Sequence, residues 1–272
     1  LMLGIALFVT EYLSEEKIQT KRTMVSILAM VVGCFSKAVY IPFLALYWLM
    51  PKDKFYSRRQ KNLFKAGIFV LLILMFASFI LPLIGNVTSG AEVGDYRGGD
   101  TSQTSQLSMI LGYPLTYTGV LLKSLGTTFA SYFIGSKVLA NFAYRGIYDG
   151  IGYFVVLLTM LFTFVTDFGM TEKTYDAQMK RKILMMKIWN AVLIFGTACL
   201  VWTALYLDFT PVGSMVINGV SPRYYLPLIF PLSLIFINQK VRCSMKLENY
   251  QSLIAFLMLI GTGISIYCLM LA

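Results

Sequence analysis

Residues 63–84 read LFKAGIFVLLILMFASFILPLI. After Lys65 the run carries no charge to its end. About 20 apolar residues cross a bilayer as a helix, because lipid leaves backbone groups no partner outside their own segment. This stretch predicts a membrane-spanning helix that ends near Pro82. Residues 250–272 repeat the pattern, from Tyr250 to Ala272, with no charged residue at all.

The whole chain agrees with these two runs. Of 272 residues, 57% are hydrophobic and only 13% charged. Mean hydropathy is +0.71. Soluble domains carry about 25% charged residues, so a soluble enzyme or a disordered tail is excluded. The fold class is all-α: a polytopic transmembrane helical bundle. No histidine is present, so a His general base, an HExxH zinc site and a His-ligated haem are excluded too. Cys34, Cys199, Cys243 and Cys268 lie far apart in or beside apolar spans, with no CxxC pair. They read as buried thiols rather than as a metal or redox site.

Working outward from 63–84, the opening LMLGIALFVTEYL (1–13) is apolar but short of a crossing. It lacks a Met start and a basic leader region, so it reads as the cut end of a helix. The chain is then expected to be one transmembrane domain over 1–272, the C-terminal portion of a longer protein. Residues 23–50 are apolar except at Ser36-Lys37. A lysine at mid-membrane is costly, so two short limbs bent at Lys37 are expected. Residues 85–113 read as a Gly/Ser/Thr-rich loop. Residues 114–140, broken by Lys123 and Lys137, read as interfacial or re-entrant helices. Further spans are expected at 151–168, 188–207 and 223–239.

Net charge is +10, from 23 Lys and Arg against 13 Asp and Glu. In a soluble protein that excess would point to nucleic acid. Here 17 of the 23 cations fall at 14–22, 51–65, 169–187 and 240–249. Such clustering in short loops marks the cytoplasmic side, so the charges set topology and no nucleic-acid partner is expected. Residues 85–150 then form an outer-face loop with interfacial helices. The localisation that follows is a bacterial plasma membrane, crossed several times.

Polar groups with chemical potential collect on the expected outer side. In SPRYYLPLIFPL (221–232), Arg223 meets Tyr224 and Tyr225 at a membrane edge. The plain reading is an anchor, with a snorkelling Arg beside an aromatic belt. The functional reading is a guanidinium that pairs bidentately with a phosphate. Lys37 in CFSKAVYIP has the same two readings. The loop DYRGGDTSQTSQ sets Asp95 and Asp100 around Arg97, with Gln103 and Gln106 following. An Arg–Asp pair in a solvated loop accounts for it. So does a saccharide site, since Asp, Gln and Thr hydrogen-bond sugar hydroxyls and a carboxylate can take a proton from an acceptor.

RYYLP at a late span, SKAVYIP at an earlier bend, and the D…Q…L…P loop occur together in this order. The combination resembles the bacterial domain-of-unknown-function family 2142, over residues 23–50, 97–125 and 220–235. That family is similar to the GT-C glycosyltransferases, which use polyprenyl-phosphate-linked sugars in cell-surface polysaccharide assembly. The resemblance implies a GT-C-like membrane glycosyltransferase. It implies that Arg223 and Lys37 contact the lipid phosphate, and that Asp100 and Gln103 line the sugar pocket. GT-C enzymes place their catalytic acid in a first outer loop, which would lie upstream of Leu1, so Asp95 and Asp100 are weak candidates for the base. No metal ligands are assigned, and a divalent ion stays open as a partner for the leaving phosphate. Two rivals are a transporter of lipid-linked saccharide, for which Asn190 and Asp167 are the intramembrane polar candidates, and a non-catalytic scaffold.

Overall fold

The computed structural model describes residues 1–88, 100–139, 150–166, 176–237, 241 and 243–271. Among these residues the regular elements are all helical, with no strand. They divide into two compact units, one of residues 1–126 and 178–220, the other of 127–177 and 221–272.

The first unit is built around an unusual element. Helix α1 (Met2–Leu13) packs on α2 (Thr20–Phe35). After α2 the chain breaks at Ser36-Lys37, where Lys37 is extended. The bend expected at Lys37 is therefore present, but the second limb is not an α-helix. Ala38–Leu49 runs as 3-10 turns. Pro42 lacks the N–H that an α-helix needs there, and its ring would meet the carbonyl four residues back. The tighter turns avoid both problems. This segment is the core of the unit: Ile41, Phe43, Leu44 and Leu46 are fully buried. Helix α1 touches it at Phe8, whose ring meets Tyr47 edge-on at 5.1 Å. The Tyr47 hydroxyl bonds Ser26 Oγ, and Ser26 Oγ donates to the Gly4 carbonyl at 2.6 Å. One polar chain thus ties three elements together inside an apolar interior.

Helix α3 (Arg58–Thr88) packs on the 3-10 segment. Two bonds fix its start: Gln60 N–H donates to Ser57 Oγ at 3.1 Å, and Tyr56 N–H donates to Gln60 Oε1 at 2.8 Å. The first satisfies a donor that the first turn leaves open, and the second ties the residue before the cap to the same turn. Only 17% of its most apolar stretch is buried. The rest shows Phe69, Val70, Ile73, Leu74 and Leu81 outward, which is stable against lipid and not against water.

Helix α4 (Gln103–Gly112) lies where a loop was expected. Ser102 caps it, its Oγ accepting from Ser105 N–H. Helix α5 (Pro114–Phe133) follows, and the division between units passes through it. Helix α8 (Ala177–Phe209) is longer than its apolar part suggested. The basic run before residue 188 is helical and continuous with the span. Its buried residues Ile183, Met186, Asn190, Leu193, Thr197 and Val201 recur every three or four positions, one continuous stripe.

The segments 14–22 and 51–65, read as carriers of topogenic charge, prove to be structured. Lys54, 1% exposed, donates to the Ser14 carbonyl and hydroxyl at 2.6 Å each and to the Glu16 carbonyl at 3.0 Å. Lys17 reaches the Asp53 carbonyl at 2.7 Å, and Lys182 Nζ lies 3.2 Å from Asp53 Oδ2. Glu11, 1% exposed, accepts from the Gln19 N–H at 2.9 Å and pairs with Arg22 at 3.5 Å. Burial pushes the Lys54 ammonium below the usual lysine range, opposed by Glu11, with Asp53 and Glu16 adding to that opposition. Lys54→Met keeps the length and removes the donor from three acceptors. It should cost about 1–3 kcal/mol, read as a lower unfolding temperature in detergent. An unchanged melt would mean that water replaces the ammonium freely.

In the second unit α7 (Gly150–Thr166) packs along α10 (Leu247–Leu271). Gly261 permits this approach, because a Cβ there would press on Val155 and Val156 at 3.1 Å. Thr166 and Tyr250 share a hydrogen bond of 3.0 Å between the same two helices. α6 (Ser136–Leu139) lies against the 3-10 turn Pro222–Tyr225, which leads into α9 (Leu226–Ile235). A span was expected over 223–239, but α9 has ten residues, about 15 Å, half a bilayer core. Among the described residues, three helices are long and apolar enough to cross: Arg58–Pro82, Ala177–Phe209 and Leu247–Cys268.

Candidate functional site

Helix α8 carries its basic residues in its first turns and ends in Asp208-Phe209. Asp208 sits in the last turn, where the helix presents the negative end of its dipole and free carbonyls. A carboxylate is disfavoured there unless something donates to it. Gln103 does so, its Nε2 donating to Asp208 Oδ1 at 2.6 Å. Gln103 is the first residue of α4, so the capped start of one helix supports the acidic end of another.

The next turn of α4 brings Gln106 to the same place. It is fully buried, and its Nε2 donates to the Thr210 and Pro211 carbonyls at 2.9 Å each. Its Oε1 is buried without a hydrogen-bond partner. A buried orphan acceptor typically costs about 1–3 kcal/mol, so such atoms cluster where something other than stability is served. The backbone completes the junction: Val212 N–H donates to the Asp100 carbonyl at 3.2 Å, and Asn218 N–H to Thr210 Oγ1 at 3.1 Å. Nearer the middle of α8, Tyr117 of α5 shares a 2.6 Å hydrogen bond with Thr203 and packs on Tyr206.

The structure thus brings together Asp100, Gln103, Gln106 and Asp208. Asp100 is exposed and enters through its backbone. Gln106 and Asp208 were legible only as polar loop residues, because the partners of each lie about a hundred positions away in the chain. Asp95 and Arg97 lie outside the described residues, as do Glu92, Arg145, Asp149 and Asp167.

Arg223 and Tyr224 belong to the second unit. Tyr225 is 1% exposed and gripped edge-on by Phe133 at 4.8 Å and Tyr132 at 5.5 Å. That grip fixes the 3-10 turn and leaves Arg223 exposed, its guanidinium 5.7 Å from the Tyr224 ring centre. The turn orients a cation at a helix start without pairing it to a described carboxylate. Lys37 is exposed at the end of α2 in the first unit. Among the described residues no three acidic or Cys side chains gather in a way that would hold a metal ion.

An all-helical chain that turns long apolar faces outward and keeps its polar clusters at helix ends is a helical membrane protein. The family model described as Predicted membrane protein (DUF2142) matches residues 1–232, and the chain belongs to that family. The match includes α4, α8 and the Arg223 turn. No curated protein and no solved structure matches the chain.

Proposed function

We propose that this protein is a GT-C-like glycosyltransferase that moves a sugar from a polyprenyl-phosphate donor to a hydroxyl acceptor at the outer face of a bacterial plasma membrane. The observation that carries the reading is Asp208, a carboxylate at a helix C-terminus, held by Gln103 beside the buried Gln106. In the reaction an acceptor hydroxyl attacks the anomeric carbon. The bond from that carbon to the phosphate oxygen breaks, and the phosphate leaves with the electron pair. The acceptor's proton passes to a carboxylate, for which Asp208 is the best-placed group among the described residues. Asp100 and Gln103 serve the sugar hydroxyls, and Arg97 is proposed for the same role from its place in the sequence. The family resemblance assigns Arg223 and Lys37 to the phosphate, where a cation would stabilise the charge as it grows.

The test is transfer from a polyprenyl-phosphate sugar by membranes that contain the full-length protein. Arg223→Ala should lower transfer about 100-fold at equal expression, the worth of a charged hydrogen-bonded contact. Arg223→Lys should recover only part of it, since an ammonium lacks the bidentate fork. Full recovery by Lys would return Arg223 to an anchoring role.

A second reading is transport of the lipid-linked saccharide. It is supported by Asn190 Oδ1 and Thr197 Oγ1, both buried without partners on one stripe of α8. A mid-membrane polar path needs such groups.

A further inference from the structure

We infer that α3 carries a built binding site for an anionic glycerophospholipid, in the leaflet on the side of the basic loops. This inference is independent of the transferase reading. It rests on two cavities along one face of one helix.

The first cavity, about 550 Å³, is lined by Lys52, Tyr56, Ser57, Arg58, Lys61 and Asn62. Its three cations make no ion pair with a described carboxylate; the nearby Asp53 is paired with Lys182 instead. The second cavity, about 490 Å³, is apolar and lies between Trp48 and the α3 residues Phe69, Leu72, Ile73, Phe76 and Ile80. Trp48 closes one side, its ring stacked on Phe69 at 6.4 Å.

Helical spacing joins the two. Arg58, Lys61, Lys65, Phe69, Leu72 and Phe76 follow at steps of three and four, one stripe of an α-helix. The stripe is cationic for two turns and apolar for the next three. Lys65 stands at the change, donating to the Trp48 carbonyl at 3.0 Å and lying within reach of the charges of Lys61 and Lys52. A lipid with an anionic head and apolar tails has the same polarity in the same order. From Phe69 to Ile80 the groove is about 16 Å long. One leaflet's hydrocarbon is about 15 Å thick, half of a 30 Å core. That depth suits the acyl chains of a glycerophospholipid and is too short for a polyprenyl chain. A basic pocket beside a transmembrane helix is also a recognised way to hold an anionic head group.

The test uses the full-length protein in neutral detergent and measures retained lipid by native mass spectrometry, with phosphatidylglycerol, phosphatidylcholine and a polyprenyl phosphate as probes. Phosphatidylglycerol should bind and phosphatidylcholine should not. Each cation near the surface is worth about fivefold in binding, so K52Q/R58Q/K61Q should weaken binding roughly 100-fold. Arg59→Gln removes the same charge off the stripe and should change binding less than twofold. Ile73→Trp, which fills the groove and leaves every cation, should also weaken retention at least tenfold. Equal retention of phosphatidylcholine, equal harm from Arg59→Gln, or binding of the polyprenyl phosphate in preference to phosphatidylglycerol would each overturn the inference.

Discussion

Asp208→Asn should lower sugar transfer by about 10²–10⁴-fold, the usual worth of a positioned general base. The substitution is informative because it preserves geometry. The asparagine amide would keep an oxygen that accepts from Gln103 Nε2, so the 2.6 Å contact survives. What disappears is the capacity to take a proton. The loss should fall on kcat with KM little changed. Gln103→Ala tests the support of that carboxylate. It removes the Gln103 amide from the carboxylate at the unfavourable end of the α8 dipole, and should cost roughly tenfold in transfer. Transfer unchanged in Asp208→Asn would remove Asp208 from the chemistry.

Gly4→Leu should be the most damaging change in the first unit. A Cβ on Gly4 would lie 2.5 Å from Met30 Cγ, 2.8 Å from the Ser26 carbonyl and 2.9 Å from the Met30 backbone nitrogen. Two of these three atoms are backbone, so neither helix can yield by turning a side chain. Small residues let helices in lipid approach this closely, where packing and interhelical hydrogen bonds replace the hydrophobic drive. Separation of α1 and α2 would also break the bond from Ser26 Oγ to the Gly4 carbonyl, and with it the polar chain to Tyr47. Overpacking of one methyl costs about 1–3 kcal/mol, so Gly4→Ala should already lower the melting temperature in detergent. Gly4→Leu should abolish the folded unit. Gly67 of α3 provides the contrast, because a Cβ there meets nothing within 4 Å. Gly67→Ala should be neutral or stabilise the helix by up to about 1 kcal/mol. If both glycines tolerate alanine equally, the α1–α2 contact is looser than its geometry.

The membrane class and the longest helices were legible because lipid imposes one demand on composition and length. Residues 63–84 and 250–272 meet it with no competing signal. Boundaries were less legible. The first turns of α8 read as loop because Lys180, Arg181 and Lys182 look topogenic. Helix propensity does not oppose cations, however, and Lys182 is held by Asp53 from a distant loop. Helix α4 was hidden by its Ser and Thr residues and by the serine just before it, which is its cap. The expected span at 223–239 came out short for the opposite reason: its apolarity was real, but its first residues form the 3-10 turn that starts at Pro222, and the α-helix is the ten residues Leu226–Ile235. In the candidate site, Asp100 and Gln103 were visible as the residue types that bind sugars. The pairing of Gln103 with Asp208 was not, since a contact across a hundred residues leaves no local trace. The burial of Lys54 was equally invisible.

The buried 3-10 segment also bears on how the chain is made. Ala38–Leu49 follows α1 and α2 in order of synthesis and precedes α3, yet it packs against all three. When it leaves the ribosome, its α3 side is still bare. At about 5–20 residues per second, translation to the end of α3 takes roughly two to eight seconds more. Through that interval a stretch whose backbone is not α-helical must be kept from lipid by something other than α3. Trp189 of α8, which donates to the Ala45 carbonyl at 3.1 Å, comes later still, so order of synthesis leaves the core of the first unit to be completed from outside inward.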